Sequence, residues 1–157
     1  MVYNNRQYWS QLHEELKGQL KAVGHPFLSE SLNRLKYSSE AAAIGQALQE
    51  ITDVFQKDNW HDISYLDIGA GTGYWTDLIS QWFVSKGYQV EVSALDISSD
   101  ALDVIRERLP FVHGIAEDLR TISPDKSPES YDLVSACYCL HHLTRTNDFI
   151  NALEFAG

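Results

Sequence analysis

The segment Leu66-Asp67-Ile68-Gly69-Ala70-Gly71-Thr72-Gly73-Tyr74-Trp75 constrains this chain more than any other. A short run with strand character, Ile63 to Ile68, leads into three glycines at alternate positions. A stretch with Trp75, Leu78, Ile79, Trp82 and Phe83 at helical spacing follows. Glycines between a strand and a helix permit positive φ and let a ligand lie against bare backbone. The amides that open the helix point toward such a ligand. A dinucleotide fingerprint asks for glycine at positions 69, 71 and 74, but residue 74 is tyrosine, so a pyrophosphate ligand is disfavoured. Asp67, placed before the first glycine, suits a ligand that carries a positive charge, such as an α-ammonium group.

The rest of the sequence alternates in period. Trp9, Leu12, Leu16 and Leu20 form one apolar stripe, and Gly24, His25 and Pro26 break it. Phe27 to Tyr37 reads as a short helix or turn. A second helix is expected after Ser38 or Ser39, either of which can cap it, with Ile44, Leu48, Ile51 and Phe55 as its inner face. After the glycine loop and its helix, Gly87 is a stop signal. Tyr88 to Leu95 reads as a strand. Ser98 or Ser99 caps a helix with Leu102, Ile105 and Leu109 inward, and Pro110 ends it. Phe111 to Ile115 is a further short strand, Thr121 to Glu129 a polar loop with Pro124 and Pro128, Tyr131 to Leu140 an apolar strand, and Asn147 to Phe155 a helix. Strands alternating with helices predict an α/β fold with a parallel sheet, right-handed crossovers and helices on both faces. The chain divides into a helical segment, residues 1–56, and an α/β domain, residues 57–157.

Asp96 ends the second strand in Leu95-Asp96-Ile97. An acid at that strand end accepts hydrogen bonds from both hydroxyls of a ribose, the geometry used in dinucleotide folds. Together with the glycine segment, Leu95-Asp96-Ile97-Ser98, Ala116-Glu117-Asp118-Leu119, Tyr131-Asp132-Leu133-Val134 and Leu140-His141-His142-Leu143 resemble, in order and spacing, the motifs of class I S-adenosylmethionine-dependent methyltransferases. The resemblance runs from about Tyr65 to Leu143. It implies a Rossmann-like sheet in the order 3-2-1-4, truncated here, because the family continues past its fourth strand. It implies S-adenosylmethionine as cofactor and S-adenosylhomocysteine as product. The loop Gly69, Ala70, Gly71, Thr72 and Gly73 would lie against the methionine part, with Asp67 nearby. Asp96 and Ile97 would meet the ribose, and Ile115 to Asp118, including Ala116, Glu117 and Asp118, the adenine. Cys137 would line the same pocket. Many relatives carry an acid where Ile115 stands; here Glu117 or Asp118 substitutes for it, or the contact is missing.

Methyl transfer from a sulfonium needs alignment, desolvation and, for a neutral acceptor, a base. His141 and His142 follow the fourth strand, at the edge where open α/β sheets bind ligands, and either is a candidate base. The same Leu-His-His-Leu run also reads as a structural turn. In similar enzymes an N-terminal helical segment covers the cofactor and shapes the acceptor pocket. Here it carries Tyr3, Tyr8, Trp9, Phe27 and Tyr37, which read equally well as an aromatic face packed on the sheet. Neither cysteine follows a proline, and the segment Ser135-Ala136-Cys137-Tyr138 lacks the signature of amino-methylating DNA enzymes.

Twelve Lys and Arg against twenty-two Asp and Glu give a formal net charge of −10. That field disfavours a phosphate backbone or an anionic membrane and favours a small-molecule acceptor. Cys137 and Cys139 read as reduced thiols, which suits a cytoplasmic protein. No metal-ligand spacing, signal peptide or apolar run of membrane-spanning length is present. If the sheet stops at the fourth strand, Leu133 to Leu140 becomes an apolar edge without lysine or proline, and a homodimer covering it is expected. A competing reading is a non-catalytic domain, derived from a methyltransferase, that binds the cofactor or a partner.

Overall fold

The computed structural model describes residues 4–16, 19, 22, 25, 27–122 and 131–156. Tyr3, Leu20, Gly24, Pro26, Pro124, Pro128 and Gly157, which enter the sequence reading, lie outside the described residues. In chain order the elements are α1 (Asn5–Glu15), α2 (Glu30–Lys57), β1 (Asp62–Ile68), α3 (Tyr74–Ser85), β2 (Gln89–Asp96), α4 (Ser99–Arg108), β3 (His113–Ala116), β4 (Leu133–Ser135), a 3-10 turn (Leu140–His142) and α5 (Thr146–Ala156). The strands form one parallel sheet in the order β3-β2-β1-β4, as expected.

Alternation along the central strands separates two apolar layers. Ile63 and Tyr65 of β1 and Val92 and Ala94 of β2 face α2, α3 and α4, where they meet Tyr37, Leu48, Phe55, Ile79, Phe83, Leu102 and Ile105. Leu66, Ile68 and Leu95 face the other way and pack on Ala152 and Phe155 of α5, with Leu119 and Ile122. The Trp82 indole N–H of α3 donates to Thr52 Oγ1 of α2 at 3.0 Å, which fixes how these two helices lie on the sheet.

Three expectations are corrected. The helix α2 does not begin at Ser38 or Ser39. It begins nine residues before Ser39, at Glu30, where Ser29 Oγ accepts from Leu32 N at 3.3 Å. Both later serines sit inside the helix and donate back to Leu35 O, at 2.9 and 3.0 Å. A hydroxyl bonded to the preceding turn is compatible with a helix interior, so a serine pair alone does not mark a start. The buried Asn33 reinforces the true start, since its side chain accepts from His25 N at 3.0 Å and donates to His25 O at 3.1 Å.

The strand expected at Phe111 to Ile115 is displaced to β3, His113–Ala116. Val112 N donates to Leu109 O at 3.0 Å, and this turn uses up Phe111, which is exposed. The strand expected over Tyr131 to Leu140 shortens to Leu133–Ser135. Its start is locked where Asp132 accepts from Ser64 N and Oγ at 2.8 and 2.7 Å. It pairs only with Tyr65, Leu66 and Asp67, because β1 itself ends one residue later. Beyond Ser135 the chain crosses over the glycine loop, with Tyr138 at φ 62° and the Cys139 thiol donating to Ile68 O at 3.1 Å.

Candidate functional site

The glycine loop joins β1 to α3, and its residues divide the work. Gly69 (φ 68°) and Ala70 donate their amides to Leu95 O, at 2.7 and 3.1 Å, which ties the loop to the end of β2. Gly71 (φ 54°) donates its amide to Asp96 Oδ2 at 2.8 Å. Gly73 (φ 81°) caps α3, and a Cβ there would stand 3.0 Å from Ile105 Cγ1, so this glycine serves the contact between α3 and α4. At Gly69 a side chain would run into Cys139, whose Sγ lies 2.9 Å from the Cβ position. The loop is therefore pinned from three sides before any ligand is considered.

Asp67 lies under this loop and is fully buried. Thr76 Oγ1 donates to its Oδ2 and Ser135 Oγ to its Oδ1, both at 2.6 Å. The Ser135 hydroxyl is also 2.8 Å from Tyr65 Oη. Burial pushes the Asp67 carboxyl up to about 6, against the two hydroxyls that hold it down. Asp67 thus fastens β1, α3 and β4 together beneath the loop and does not line the cleft above it.

That cleft lies at the C-terminal edge of the sheet and, counted together with the open solvent at its mouth, spans about 880 Å³ of atom-free space. Of the residues singled out in the sequence, Gly69, Ala70, Gly71, Asp96, Ile97, Glu117, Asp118, Cys137 and His142 line it. Thr72, Gly73, Ala116 and His141 stand outside it, as does Asp67. Thr72 is buried, and its carbonyl accepts from the Arg108 guanidinium at 2.9 Å. Asp96 is nearly inaccessible. Its Oδ1 takes the Ser98 amide at 2.9 Å while Oδ2 takes that of Gly71. Burial raises its carboxyl above the ordinary value, against these amides.

At the end of β3, Asp118 is held by Arg120, whose Nε reaches both carboxylate oxygens at 2.9 and 3.1 Å and whose Nη2 reaches Oδ2 at 2.5 Å. Burial alone would raise the Asp118 carboxyl, but the Arg120 hydrogen bonds bring it below its usual range. Burial pushes the thiols of Cys137 and Cys139 up to about 12, with Asp67 adding to both, so each is a neutral thiol near pH 7.

The two histidines separate. His142 lines the cleft, with the Trp9 ring edge-on at 5.0 Å, and burial followed by its neighbour His141 lowers its basicity. His141 is exposed. An aromatic wall also borders the cleft. Tyr37 of α2 contacts Tyr74 and Trp75 of α3 at 4.5 and 5.5 Å, and Tyr138 lies under the Lys36 ammonium at 4.1 Å.

His13, Tyr74, Trp75, Leu119, Arg120 and Tyr138 also line the cleft without having been singled out for it. For His13 a signal existed: it stands four residues after Trp9, on the same face of α1 as Leu12 and Leu16. For Tyr74 and Trp75 the signal was their place directly after the glycine loop; nothing local marks Leu119, Arg120 and Tyr138, which the turn after β3 and the crossing after β4 bring in. Among the described residues no group of three His, Cys, Asp or Glu side chains is placed to hold a metal ion. No helix of the described residues is long and apolar enough to cross a membrane.

The geometry has counterparts among known proteins. A family described as "Methyltransferase domain" matches residues 66–156, more than half of the chain. The chain is 36% identical over 83 residues to the non-reducing polyketide synthase trt4 of Aspergillus terreus, a match covering 50% of this chain and 3% of that protein. It is 27% identical over 113 residues to the non-reducing polyketide synthase ausA of Emericella nidulans, covering 69% of this chain and 4% of that protein. The chain thus spans a small part of these curated relatives. Among solved structures it resembles the plantazolicin methyltransferase BpumL, in complex with a triazolic desmethylPZN analogue and SAH, at TM-score 0.57 and 16% identity, covering 96% of this chain and 55% of that one. It also resembles CalS10, a SAM-bound amino pentose methyltransferase from Micromonospora echinaspora, at TM-score 0.53 and 22% identity, covering 75% of this chain and 44% of that one. The parallel sheet in the order β3-β2-β1-β4, with helices on both faces, is the Rossmann-like methyltransferase fold. With more than half of its residues matched to that family, the chain belongs to the methyltransferase domain family.

Proposed function

We propose that the chain is an S-adenosylmethionine-dependent methyltransferase of small molecules, whole or as the N-terminal part of a longer one. The observation that carries this reading is the bond from the Gly71 amide to Asp96. It sets a bare positive-φ backbone and a strand-end carboxylate side by side in one cleft. The residues present fit the cofactor. The loop Gly69 to Gly71 offers backbone to the methionine part. Each Asp96 oxygen accepts one amide and has a second lone pair for a ribose hydroxyl. Ile97, Leu119, Glu117 and Asp118 line the part of the cleft where the adenine would lie. When bound, the cofactor supplies a methyl group on an already activated sulfonium. Asp67, Thr72 and Gly73 act by holding the loop in shape, and Ala116 by ending β3 there.

His142 is the base of this reading where the acceptor is a neutral hydroxyl or amine, because it lies in the cleft and its lowered basicity keeps it neutral near pH 7. A small-molecule acceptor is supported by the aromatic wall and by the net charge of −10. The relatives' own names, polyketide synthases and an amino pentose methyltransferase, point the same way. Calorimetric titration tests the cofactor. S-adenosylhomocysteine should bind and NAD should not; the reverse result overturns the reading.

The alternative, a non-catalytic binding domain, draws on the outer face of α5, where Phe149, Ile150 and Leu153 are exposed, and on β4, an edge strand of the described sheet. Cofactor binding without methyl transfer to any hydroxyl or amine acceptor would favour it. The same edge and face support a homodimer. The edge is only three residues long, so the α5 face carries more of that expectation than strand pairing does. Light scattering at micromolar concentration would give twice the 17.8 kDa chain mass if the dimer forms and the single mass if it does not. The free thiols of Cys137 and Cys139 are consistent with a cytoplasmic setting.

A further inference from the structure

His13 of α1 is a buried imidazole without a stated purpose. It is 2% exposed, and among the described residues neither Nδ1 nor Nε2 has a hydrogen-bond partner. The Ala22 backbone approaches the ring without hydrogen-bond geometry. A buried polar group left unpaired costs about 1–3 kcal/mol, so such a residue calls for a partner the protein itself does not supply. The ring lines the same cleft as Asp96, the two side chains are near enough to interact electrostatically, and Trp9 contacts the ring at 5.9 Å. Packing of α1 against α4, the helix that follows Asp96, holds His13 on that side of the cleft.

The chemistry of the two groups is complementary. A carboxylate only accepts hydrogen bonds, whereas a neutral imidazole donates with one nitrogen and accepts with the other. A vicinal diol presents two hydroxyl donors and also oxygen lone pairs that need a donor. Asp96 alone satisfies the first requirement and leaves the second. We propose that His13 and Asp96 together form a diol-recognising pair, in which His13 hydrogen-bonds a ribose hydroxyl that Asp96 also contacts. This rests on the cofactor reading above and extends it to a residue from the N-terminal helix. It makes α1 part of the nucleoside site.

The test is a set of calorimetric titrations with S-adenosylhomocysteine and its 2′-deoxy and 3′-deoxy counterparts. The unaltered chain should bind the parent more tightly than at least one deoxy compound. His13→Phe, which keeps a ring but removes both nitrogens, should weaken the parent by about 3- to 10-fold, the range for one neutral hydrogen bond. Its preference for the parent over that deoxy compound should shrink by the same factor, leaving only the part that Asp96 supplies. His13→Gln, which retains a donor and an acceptor, should keep part of the discrimination, and it carries the test if the Phe variant does not fold. Unchanged affinity in these variants overturns the proposal. So does an equal loss for the parent and both deoxy compounds, the signature of a purely structural histidine. Failure of the unaltered chain to bind S-adenosylhomocysteine overturns the cofactor reading, and the pair with it. Normal binding with undiminished discrimination in the variants overturns the pair alone.

Discussion

The Gly71 amide donates to the Asp96 carboxylate at 2.8 Å, so a glycine at the end of one strand and an acid at the end of the next are joined across the mouth of the cleft. The bond orients the acid and fixes the loop at once. Either partner alone is an ordinary turn residue; together they define a pocket with a polar floor.

Replacing Asp96 should therefore cost binding twice, through the lost ligand contact and through a slackened loop. Asp96→Ala is expected to weaken S-adenosylhomocysteine binding by about 1.5–3 kcal/mol, the range for hydrogen bonds to a charged group. Isothermal calorimetry measures this directly. Wild-type affinity in the variant would remove Asp96 from the ribose role.

Gly69 makes a prediction about stability rather than binding. It combines φ 68° with the side chain of Cys139 where its own Cβ would stand. Gly69→Ala should destabilise the fold by at least about 1–2 kcal/mol from the left-handed conformation alone, before the steric conflict is added. Adding Cys139→Gly should recover part of the loss, and urea denaturation of the two variants compares them. No recovery would mean that the conformational cost dominates.

Asp67 ties stability to pH. Its carboxyl rises from an ordinary value of 3.8 to about 6 in the folded chain. A raised folded value means that the folded state binds the proton more tightly than the unfolded state. This group's contribution is therefore fully present below the unfolded value. It falls as pH rises through the window up to the folded value, by a total on the order of 2–3 kcal/mol. Asp67→Asn removes the titration and retains a side-chain oxygen for one of the two hydroxyls, Thr76 or Ser135. Denaturation curves at pH 4 and pH 7 should show a smaller loss toward neutrality in the variant than in the parent. Equal losses would contradict the raised carboxyl.

The two histidines should behave differently. His142 faces the cleft and His141 does not. His142→Ala should lower turnover with a neutral acceptor by about 100- to 10,000-fold while leaving cofactor affinity nearly intact, as loss of a general base does. His141→Ala should stay within a few-fold of the parent. Equal turnover in both variants would assign catalysis to positioning alone.

The strand order came from the resemblance of the ordered motifs to class I methyltransferases, whereas the local sequence by itself determined the parallel sheet and the place of the glycine loop. Those features rest on short-range patterns: apolar alternation, helical spacing, and glycines where the backbone must take positive φ. It also located Asp96, because a strand end is a local property. Tertiary structure alone decided how long each element runs. Ser38 and Ser39 look like helix starts, but Ser29 provides the cap and both hydroxyls turn back to Leu35. Tyr131 to Leu140 has strand composition throughout, but pairing stops when its neighbour β1 ends, and Leu133–Ser135 is what remains. The site was divided in the same way. Asp67 passed from a ligand group to a buried tie once Thr76 and Ser135 were found on its oxygens. His142 parted from His141 because Trp9 packs against one of them, and His13 reached the cleft because α1 lies on α4. A sequence pattern encodes what a residue does to its own segment. Which distant segment comes to rest on it is set by the summed packing of both apolar layers, and no single segment carries that information.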